Sequence, residues 1–158
     1  MMSLRRVGVV QTAFIGDILL TLPLLRALRA ELPKAELVFV TTPLGAEIAQ
    51  GLAFVNRAVA FDKRGEHRSR SAMRSLAASI GDVDALVVPH KSYRTMRLVQ
   101  SINAPFIVTY ADAWARFGAT VRVPYPADLH DADRHLQLLQ GLLPGTSWTK
   151  ERLVPMTL

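Results

Sequence analysis

The stretch Val7-Gly8-Val9-Val10-Gln11-Thr12-Ala13-Phe14-Ile15-Gly16-Asp17-Ile18-Leu19-Leu20-Thr21-Leu22-Pro23 decides the fold. A short apolar run ends in a small polar turn, and a long apolar segment follows at once. This pattern predicts a buried strand from Arg6 to Gln11 and a helix from Asp17 to Leu32, bent at Pro23. In an open α/β sheet, ligands bind beyond the carboxyl ends of the strands. Asp17 is expected there, in a segment that is otherwise almost uncharged.

Strand and helix patterns alternate through the rest of the chain. The apolar run Leu37-Val38-Phe39-Val40 is typical of a parallel strand covered on both faces. The alternation predicts an α/β fold with a Rossmann-like, doubly wound, mainly parallel sheet. The further strands are predicted at residues 36–41, 57–61, 85–88, 106–109 and 120–123, and the further helices at residues 44–51, 71–80, 92–102 and 128–142.

The composition is that of a globular domain, with 50% hydrophobic and 20% charged residues among 158. There is no cysteine, which excludes disulfides and thiolate metal sites. The sequence shows no apolar run of membrane-spanning length and no signal-peptide pattern, so we expect a soluble cytoplasmic protein. Lysine and arginine number 19 against 13 acidic residues, a formal net charge of +6. This excess favours anionic partners, although a solvated basic surface explains it equally well.

The first candidate site is the pair Gly16-Asp17. Gly16 would permit a tight turn or a close approach of the backbone to a ligand. A helix dipole would favour the ionised form of Asp17, which could then accept a proton from a substrate hydroxyl. Aspartate is also a preferred N-cap residue, so capping alone is the simpler interpretation. The turn lacks both the Gly-x-Gly-x-x-Gly pattern and a Walker lysine, which argues against an NAD, FAD or P-loop site.

A second candidate is the charged loop after the third strand, where Lys63, Arg64, Arg68 and Arg70 crowd a short segment. The loop is expected at the same edge of the sheet as Asp17. Arginine forks suit phosphate and carboxylate groups. A flexible, solvated loop is an equally good interpretation of any one of these residues.

A third candidate, His90-Lys91-Ser92-Tyr93-Arg94, follows the fourth strand. Ser92 can cap the next helix, whose exposed first-turn amides would form an anion site with Lys91 and Arg94 nearby. His90 could shuttle a proton, donate a hydrogen bond to an anion, or simply pack at the end of the strand.

Two histidines and two aspartates in residues 130–135 suggest a metal site at first sight. On a helix, His130 and Asp133 share a face that His135 does not, so no metal site is expected. Capping by Asp128 and surface ion pairs are the favoured interpretation. No helix-turn-helix signal and no RNP-like aromatic strand is present, so nucleic-acid binding has no support beyond charge.

Residues 16–28, Gly-Asp-Ile-Leu-Leu-Thr-Leu-Pro-Leu-Leu-Arg-Ala-Leu, resemble the opening signature of the heptosyltransferases, glycosyltransferase family 9. The similarity continues in order through residues 32–37, 55–62, 84–88 and 130–139, and so covers nearly the whole chain. Family members add ADP-activated heptose or related sugars to the inner core of lipopolysaccharide. The resemblance implies the amino-terminal half of a GT-B fold. A Rossmann-like acceptor domain is then expected at residues 1–147, and the start of an interdomain connection at residues 148–158.

The resemblance also implies a mechanism. Asp17 would be the base of an inverting transfer that needs no metal or other cofactor, and basic side chains would hold the anionic groups of the acceptor. The expected partners are ADP-heptose, an anionic lipopolysaccharide-core acceptor and the absent carboxyl-terminal domain, but no nucleic acid. A basic rim would also permit peripheral docking on the inner membrane. The predicted substrate-binding residues are Thr12, Gly16, Lys63, Arg64, His90, Lys91, Ser92 and Arg94.

The chain departs from the family in two respects. Members carry a second domain that binds the nucleotide sugar, so these 158 residues are expected to be an isolated and catalytically silent acceptor domain. Pro89-His90-Lys91 also replaces a more usual acidic and glycine-containing turn. The alternative is a stand-alone Rossmann-like module that binds an anionic glycan or nucleotide without catalysis, with Asp17 acting only as a cap.

Overall fold

A computed structural model describes residues 3–148 of the chain. Most of the predicted interdomain connection, residues 149–158, lies outside the described residues. Trp148 is described: it is 7% exposed, and its Nε1 donates a hydrogen bond to Glu31 Oε1 at 2.7 Å. The boundary between two domains stays a prediction.

The described residues form one sheet of six parallel strands in the order β3-β2-β1-β4-β5-β6. The predicted parallel sheet is therefore confirmed, and each strand lies within one residue of its predicted bounds. The strands are β1 (Arg6–Gln11), β2 (Glu36–Thr41), β3 (Arg57–Ala60), β4 (Ala85–Val88), β5 (Phe106–Tyr110) and β6 (Val121–Val123).

Within residues 3–148, six α-helices and one 3₁₀ helix connect and cover these strands. They are α1 (Ile15–Leu19), α2 (Leu22–Glu31), α3 (Pro43–Gln50), α4 (Arg70–Ile80), α5 (Tyr93–Ser101), α6 (Asp131–Leu142) and the 3₁₀ helix at Trp114–Arg116. No helix within residues 3–148 has the length and apolar character needed to cross a bilayer.

The core has two layers because successive side chains of a strand point to opposite faces of the sheet. Val7 and Val9 of β1 pack on one face, among the apolar side chains of α2 and α6. Val10 packs on the other face, in the layer that α4 and α5 contribute to. Both faces are thus covered, which explains the continuous apolar strands.

Pro23 accompanies a helix break rather than a bend, so the prediction of one helix from Asp17 to Leu32 is wrong. The chain forms α1, then breaks before α2, and Pro23 occupies the first turn of α2. Proline is tolerated there because the first amides of a helix have no intrahelical acceptor. At the break, the hydroxyl of Thr21 donates a hydrogen bond to the carbonyl of Asp17 at 2.9 Å.

The capping role predicted for Asp17 is also wrong. Phe14 is the N-cap residue of α1, and Asp17 lies inside the first turn, where a carboxylate still interacts favourably with the helix dipole. Gly16 has no positive φ, and a Cβ built on it would meet nothing within 4 Å. A tight turn therefore does not account for glycine at position 16.

The histidines of residues 130–135 serve the fold. His130, not Asp128, caps α6: its Nδ1 accepts a hydrogen bond from the Ala132 amide at 3.2 Å. His135 is buried, and its Nδ1 lies 2.6 Å from the hydroxyl of Tyr110 on β5. The two rings therefore make separate contacts.

Candidate functional site

The centre of the sheet, where β1 lies beside β4, is a topological switch point. From β1 the chain proceeds outward to β2 and β3, and from β4 it proceeds to β5 and β6 on the other side. The loops that follow β1 and β4 therefore diverge and leave a crevice at the carboxyl edge of the sheet. Thr12 and His90 stand at this crevice, directly beyond their strands.

Three cavities open along this edge. The inner cavity, of about 290 Å³, is lined by residues that include Thr12, Phe14, Lys63, Arg64 and His90. The cationic cavity, of about 590 Å³, shares Lys63 and Arg64 with the inner cavity and is completed by Arg68, Ser92, Tyr93 and Arg94. The Asp17 cavity, of about 310 Å³, lies on the other side and is lined by Gln11, Ala13, Phe14, Asp17, Pro89, His90, Lys91, Tyr110, Tyr125 and His135.

The inner cavity and the Asp17 cavity meet along a ridge formed by Ala13, Phe14 and His90, which line both. Phe14 is 79% exposed at the ridge. Water solvates such a ring poorly, so contact with a ligand or with another part of a larger protein would be favourable. The ridge therefore separates a positively charged compartment from one that holds a carboxylate.

The cations of the first compartment have no acidic partner within residues 3–148: Lys63, Arg64, Arg68 and Arg94 form no salt bridge there. Burial lowers the pKa of Lys63, and the charges of Arg64 and Arg94 lower it further. The Nζ atom of Lys63 donates to the carbonyl of Thr12 at 2.8 Å. An anion placed here would relieve the repulsion among these cations, so the cationic cavity is suited to phosphate or carboxylate.

The loop that carries Lys63 and Arg64 is organised by its own hydrogen bonds. The carboxylate of Asp62 accepts from the amides of Gly65 and Glu66 at 3.1 and 3.2 Å, and Nδ1 of His67 accepts from the Asp62 amide at 2.9 Å. Arg94 joins the loop to α5, because its Nη1 donates to the Lys63 carbonyl at 3.0 Å. These bonds hold the cations at the cavity and favour a binding role over the solvated-loop interpretation.

His90 is held by hydroxyl groups. Its Nδ1 lies 3.0 Å from Thr12 Oγ1 and 2.8 Å from Thr95 Oγ1. Burial lowers the pKa of His90 to about 4, and the charge of Lys63 contributes to this shift. The ring is therefore neutral at pH 7.

The stability of the fold should depend on the pH through His90. Its pKa is about 4 in the folded chain and about 6.5 in an unfolded one. Between these values the unfolded chain binds more protons, so the free energy of unfolding falls as the pH is lowered through this window. Urea unfolding at about pH 7.5 and about pH 5 measures how much the free energy of unfolding falls between these two values. The fall should be smaller in His90→Gln than in the unsubstituted chain. An equal fall in the two proteins would contradict the lowered pKa of His90.

The Asp17 cavity places the carboxylate among aromatic side chains. Asp17 is partly exposed, and its carboxylate has no hydrogen-bond partner among the described residues. Tyr125 packs edge-on against Tyr110 at 5.0 Å between ring centroids. An acceptor-only group that is open to a cavity can receive a proton from a hydroxyl placed beside it.

Lys91 belongs to this second compartment and is already paired. Its Nζ donates to Asp112 Oδ2 at 2.9 Å and lies 3.6 Å from the centroid of the Tyr125 ring. The sequence grouped Lys91 with Arg94 as an anion-binding pair, whereas the structure places them in different cavities.

The structure thus brings most of the predicted residues to one edge, around three cavities. Lys63, Arg64, Ser92 and Arg94 line the cationic cavity, Asp17 and Lys91 line the Asp17 cavity, and Thr12 and His90 stand at the inner cavity. Gly16 lines none of these three cavities. Sequence reasoning missed Phe14, Thr95 and Tyr125. Phe14 and Tyr125 had a usable signal, because they follow β1 and β6 and the carboxyl ends of parallel strands share an edge.

No protein-family model and no curated protein matches the sequence. Among solved structures, a family 9 glycosyl transferase from Veillonella parvula matches with a TM-score of 0.82 and 24% identity, over 92% of this chain and 44% of its own. The heptosyltransferase WaaC of E. coli with ADP matches with a TM-score of 0.77 and 20% identity, over 92% of this chain and 48% of its own. The ADP-heptose lipopolysaccharide heptosyltransferase II of E. coli matches with a TM-score of 0.64 and 19% identity, over 84% of this chain and 39% of its own.

The described chain has the fold of one half of a family 9 glycosyltransferase. The prediction of a Rossmann-like domain, equivalent to about half of such an enzyme, is confirmed. The chain spans half or less of the length of these family 9 structures. Because the sequence identities are 24% or lower, the similarity establishes the fold alone.

Proposed function

We propose that this chain is the acceptor-binding half of an inverting glycosyltransferase, which transfers heptose from ADP-heptose to the inner core of lipopolysaccharide. One observation carries the proposal: Lys63 and Arg64, which form no salt bridge within residues 3–148, line one cavity, and the carboxylate of Asp17 lies at a second cavity that adjoins the first along the ridge. An acceptor that bears phosphate or carboxylate would place those groups at Lys63, Arg64 and Arg94. A sugar hydroxyl beyond the ridge would then reach Asp17.

The chemistry assigned to Asp17 is that of a general base. Its carboxylate takes the proton of the acceptor hydroxyl while the hydroxyl oxygen forms a bond to the anomeric carbon of the donor. The bond between that carbon and the diphosphate breaks, and the nucleoside diphosphate leaves with the electron pair. Attack on the face opposite the leaving group inverts the anomeric centre. A base of this kind contributes about 10²–10⁴-fold to the rate.

The donor is assigned to the part of the enzyme that these residues do not include. Two structures of WaaC contain ADP and ADP-2-deoxy-2-fluoro heptose. The chain itself lacks the glycine-rich dinucleotide pattern and a Walker lysine. We therefore place ADP-heptose across the cleft, where a second domain would stabilise the diphosphate.

Calorimetric titration of the 158-residue chain tests the acceptor assignment. A phosphorylated core oligosaccharide should bind and ADP should bind far more weakly. The reverse order would overturn the assignment, and so would failure of the oligosaccharide to bind. The full-length product of the gene that encodes this chain should transfer heptose from ADP-heptose to a lipopolysaccharide-core acceptor.

A second candidate is a binding module without catalysis. The cationic cavity favours it, because Asp17 does not line this cavity and an anion could bind there without the carboxylate. Oligosaccharide binding without transfer by the full-length gene product would favour this candidate over the first.

A further inference from the structure

The hydroxyl cluster around His90 consists of Thr12, Ser92 and Thr95. Thr12 is 1% exposed and Thr95 is 0% exposed, so the hydrogens of their hydroxyl groups must be accepted largely within the cluster. Ser92 Oγ accepts a hydrogen bond from the Thr95 amide at 3.2 Å and donates its own hydrogen to Thr95 Oγ1 at 3.1 Å. Thr12 Oγ1 and Thr95 Oγ1 lie 3.0 Å apart.

The direction of the Ser92 bond determines which nitrogen of His90 carries the proton. If Nδ1 is unprotonated, it accepts from Thr95 while Thr12 donates to Thr95 Oγ1, and every hydroxyl group donates once. If Nδ1 were protonated, Thr12 and Thr95 would have only each other as acceptors. One hydroxyl hydrogen would then stay unbonded in a buried place, which is unfavourable. The cluster therefore selects the tautomer that is protonated on Nε2.

This tautomer leaves a free donor at the ridge. Nε2 has no hydrogen-bond partner among residues 3–148, and His90 lines both the inner cavity and the Asp17 cavity. Without a bound anion the ring is neutral at pH 7, because burial lowers its pKa to about 4. It is also poorly placed to act as a base, because Nδ1 already accepts a hydrogen bond from Thr95 and Nε2 already holds a proton. Of the roles open to His90, donation of a hydrogen bond remains.

We infer that His90 is a fixed N–H donor to an anionic oxygen of the bound substrate, and that Thr95 and Thr12 are the positioning residues that set its tautomer. An anionic oxygen is favoured over a neutral one because the inner cavity is also lined by Lys63 and Arg64. The group recognised is a phosphate or a carboxylate. The identity of the whole substrate rests on the proposed function, but the donor and its tautomer can be tested without any transfer reaction.

Nitrogen-15 NMR of the 158-residue chain, with inorganic phosphate as the probe, tests this inference. At neutral pH and low salt, His90 should show a directly bonded proton on Nε2 and none on Nδ1. Added phosphate should shift the Nε2 resonance. Thr95→Val alone should keep this tautomer, because Thr12 Oγ1 lies 3.0 Å from Nδ1 and would donate to it in place of Thr95. In the double variant Thr12→Val/Thr95→Val, which keeps both side-chain shapes but removes both hydroxyl groups near Nδ1, the proton should be shared between the two nitrogens and phosphate should bind more weakly.

Thr41→Val is the matched control. Thr41 is equally buried at the end of β2, and its hydroxyl has no hydrogen-bond partner among the described residues. This variant should leave the tautomer of His90 and the phosphate affinity unchanged. A change in Thr41→Val as large as that in the double variant would show that loss of any buried hydroxyl suffices, and would overturn the positioning role of Thr12 and Thr95.

Two substitutions of His90 test the donor should the double variant fail to fold. Glutamine can place an amide N–H near the position of Nε2, whereas asparagine reaches only as far as Nδ1. His90→Gln should bind phosphate within about threefold of the unsubstituted chain, and His90→Asn should bind at least about tenfold more weakly. Equal affinities in the two variants would overturn the donor role.

The remaining outcomes are also decisive. A proton on Nδ1 in the unsubstituted chain would overturn the inference. Phosphate binding that leaves the Nε2 resonance unshifted would also overturn it, but the anion-binding role of the cationic cavity would be unaffected. Absence of phosphate binding would overturn it as well. Failure of heptose transfer, with the tautomer and the phosphate response as expected, would overturn only the proposed function.

Discussion

Asp17→Asn in the full-length gene product is expected to lower kcat for heptose transfer by about 10²–10⁴-fold. Asparagine keeps the size and much of the polarity of the side chain but cannot take a proton from the acceptor hydroxyl. The KM values should change little, because the cations that hold the acceptor lie across the ridge. Steady-state kinetics with ADP-heptose and a core acceptor measures both parameters.

Asp82→Asn is the control for the loss of one negative charge. Asp82 is exposed near the amino end of β4, away from the candidate site, and its carboxylate accepts from Asn103 Nδ2 at 3.0 Å. The kcat of the Asp82→Asn variant should match that of the unsubstituted enzyme. Should Asp17→Asn keep more than about a tenth of the original kcat, Asp17 would not be the general base.

Lys63→Met is expected to weaken binding of a phosphorylated core oligosaccharide by about 10- to 100-fold, since a hydrogen bond to a charged group contributes about 1.5–3 kcal/mol. Methionine keeps an unbranched apolar stem and removes only the ammonium group. Calorimetric titration of the 158-residue chain measures the dissociation constant. Binding should also weaken as salt is added, and less steeply in the variant, because part of the attraction is lost with the charge.

Lys34→Met provides the comparison for loss of charge alone. Lys34 is exposed in the connection between α2 and β2, at the opposite edge of the sheet from the cationic cavity. Its substitution changes the net charge equally and should leave the dissociation constant within about twofold. If both variants weakened binding equally, the cause would be the overall charge of the chain, and the cationic cavity would lose its assignment.

Local pattern was sufficient to predict the strands. Val7 to Val10 and Leu37 to Val40 are continuous apolar runs, and such runs indicate strands buried on both faces. The helices were less predictable at their ends. Pro23 was compatible with a bend or with a new helix, and the position of Asp17 depended on where α1 began.

The sequence also determined which residues gather at one edge. Residues that follow parallel strands must meet at the carboxyl end of the sheet, whatever the order of the strands. That rule was enough to select Thr12, Asp17, Lys63 and His90 as neighbours of a ligand site. It needed only the strand pattern and the positions of polar residues just beyond each strand.

Only the tertiary structure decided which of these residues act together. The pairing of Lys91 with Asp112 joins side chains 21 positions apart, and the contact of Thr12 with His90 spans 78 positions. Such contacts depend on strand order and on side-chain direction, which local periodicity does not encode. The ridge between two cavities and the hydroxyl cluster that fixes His90 exist because β1 and β4 are neighbours in the sheet.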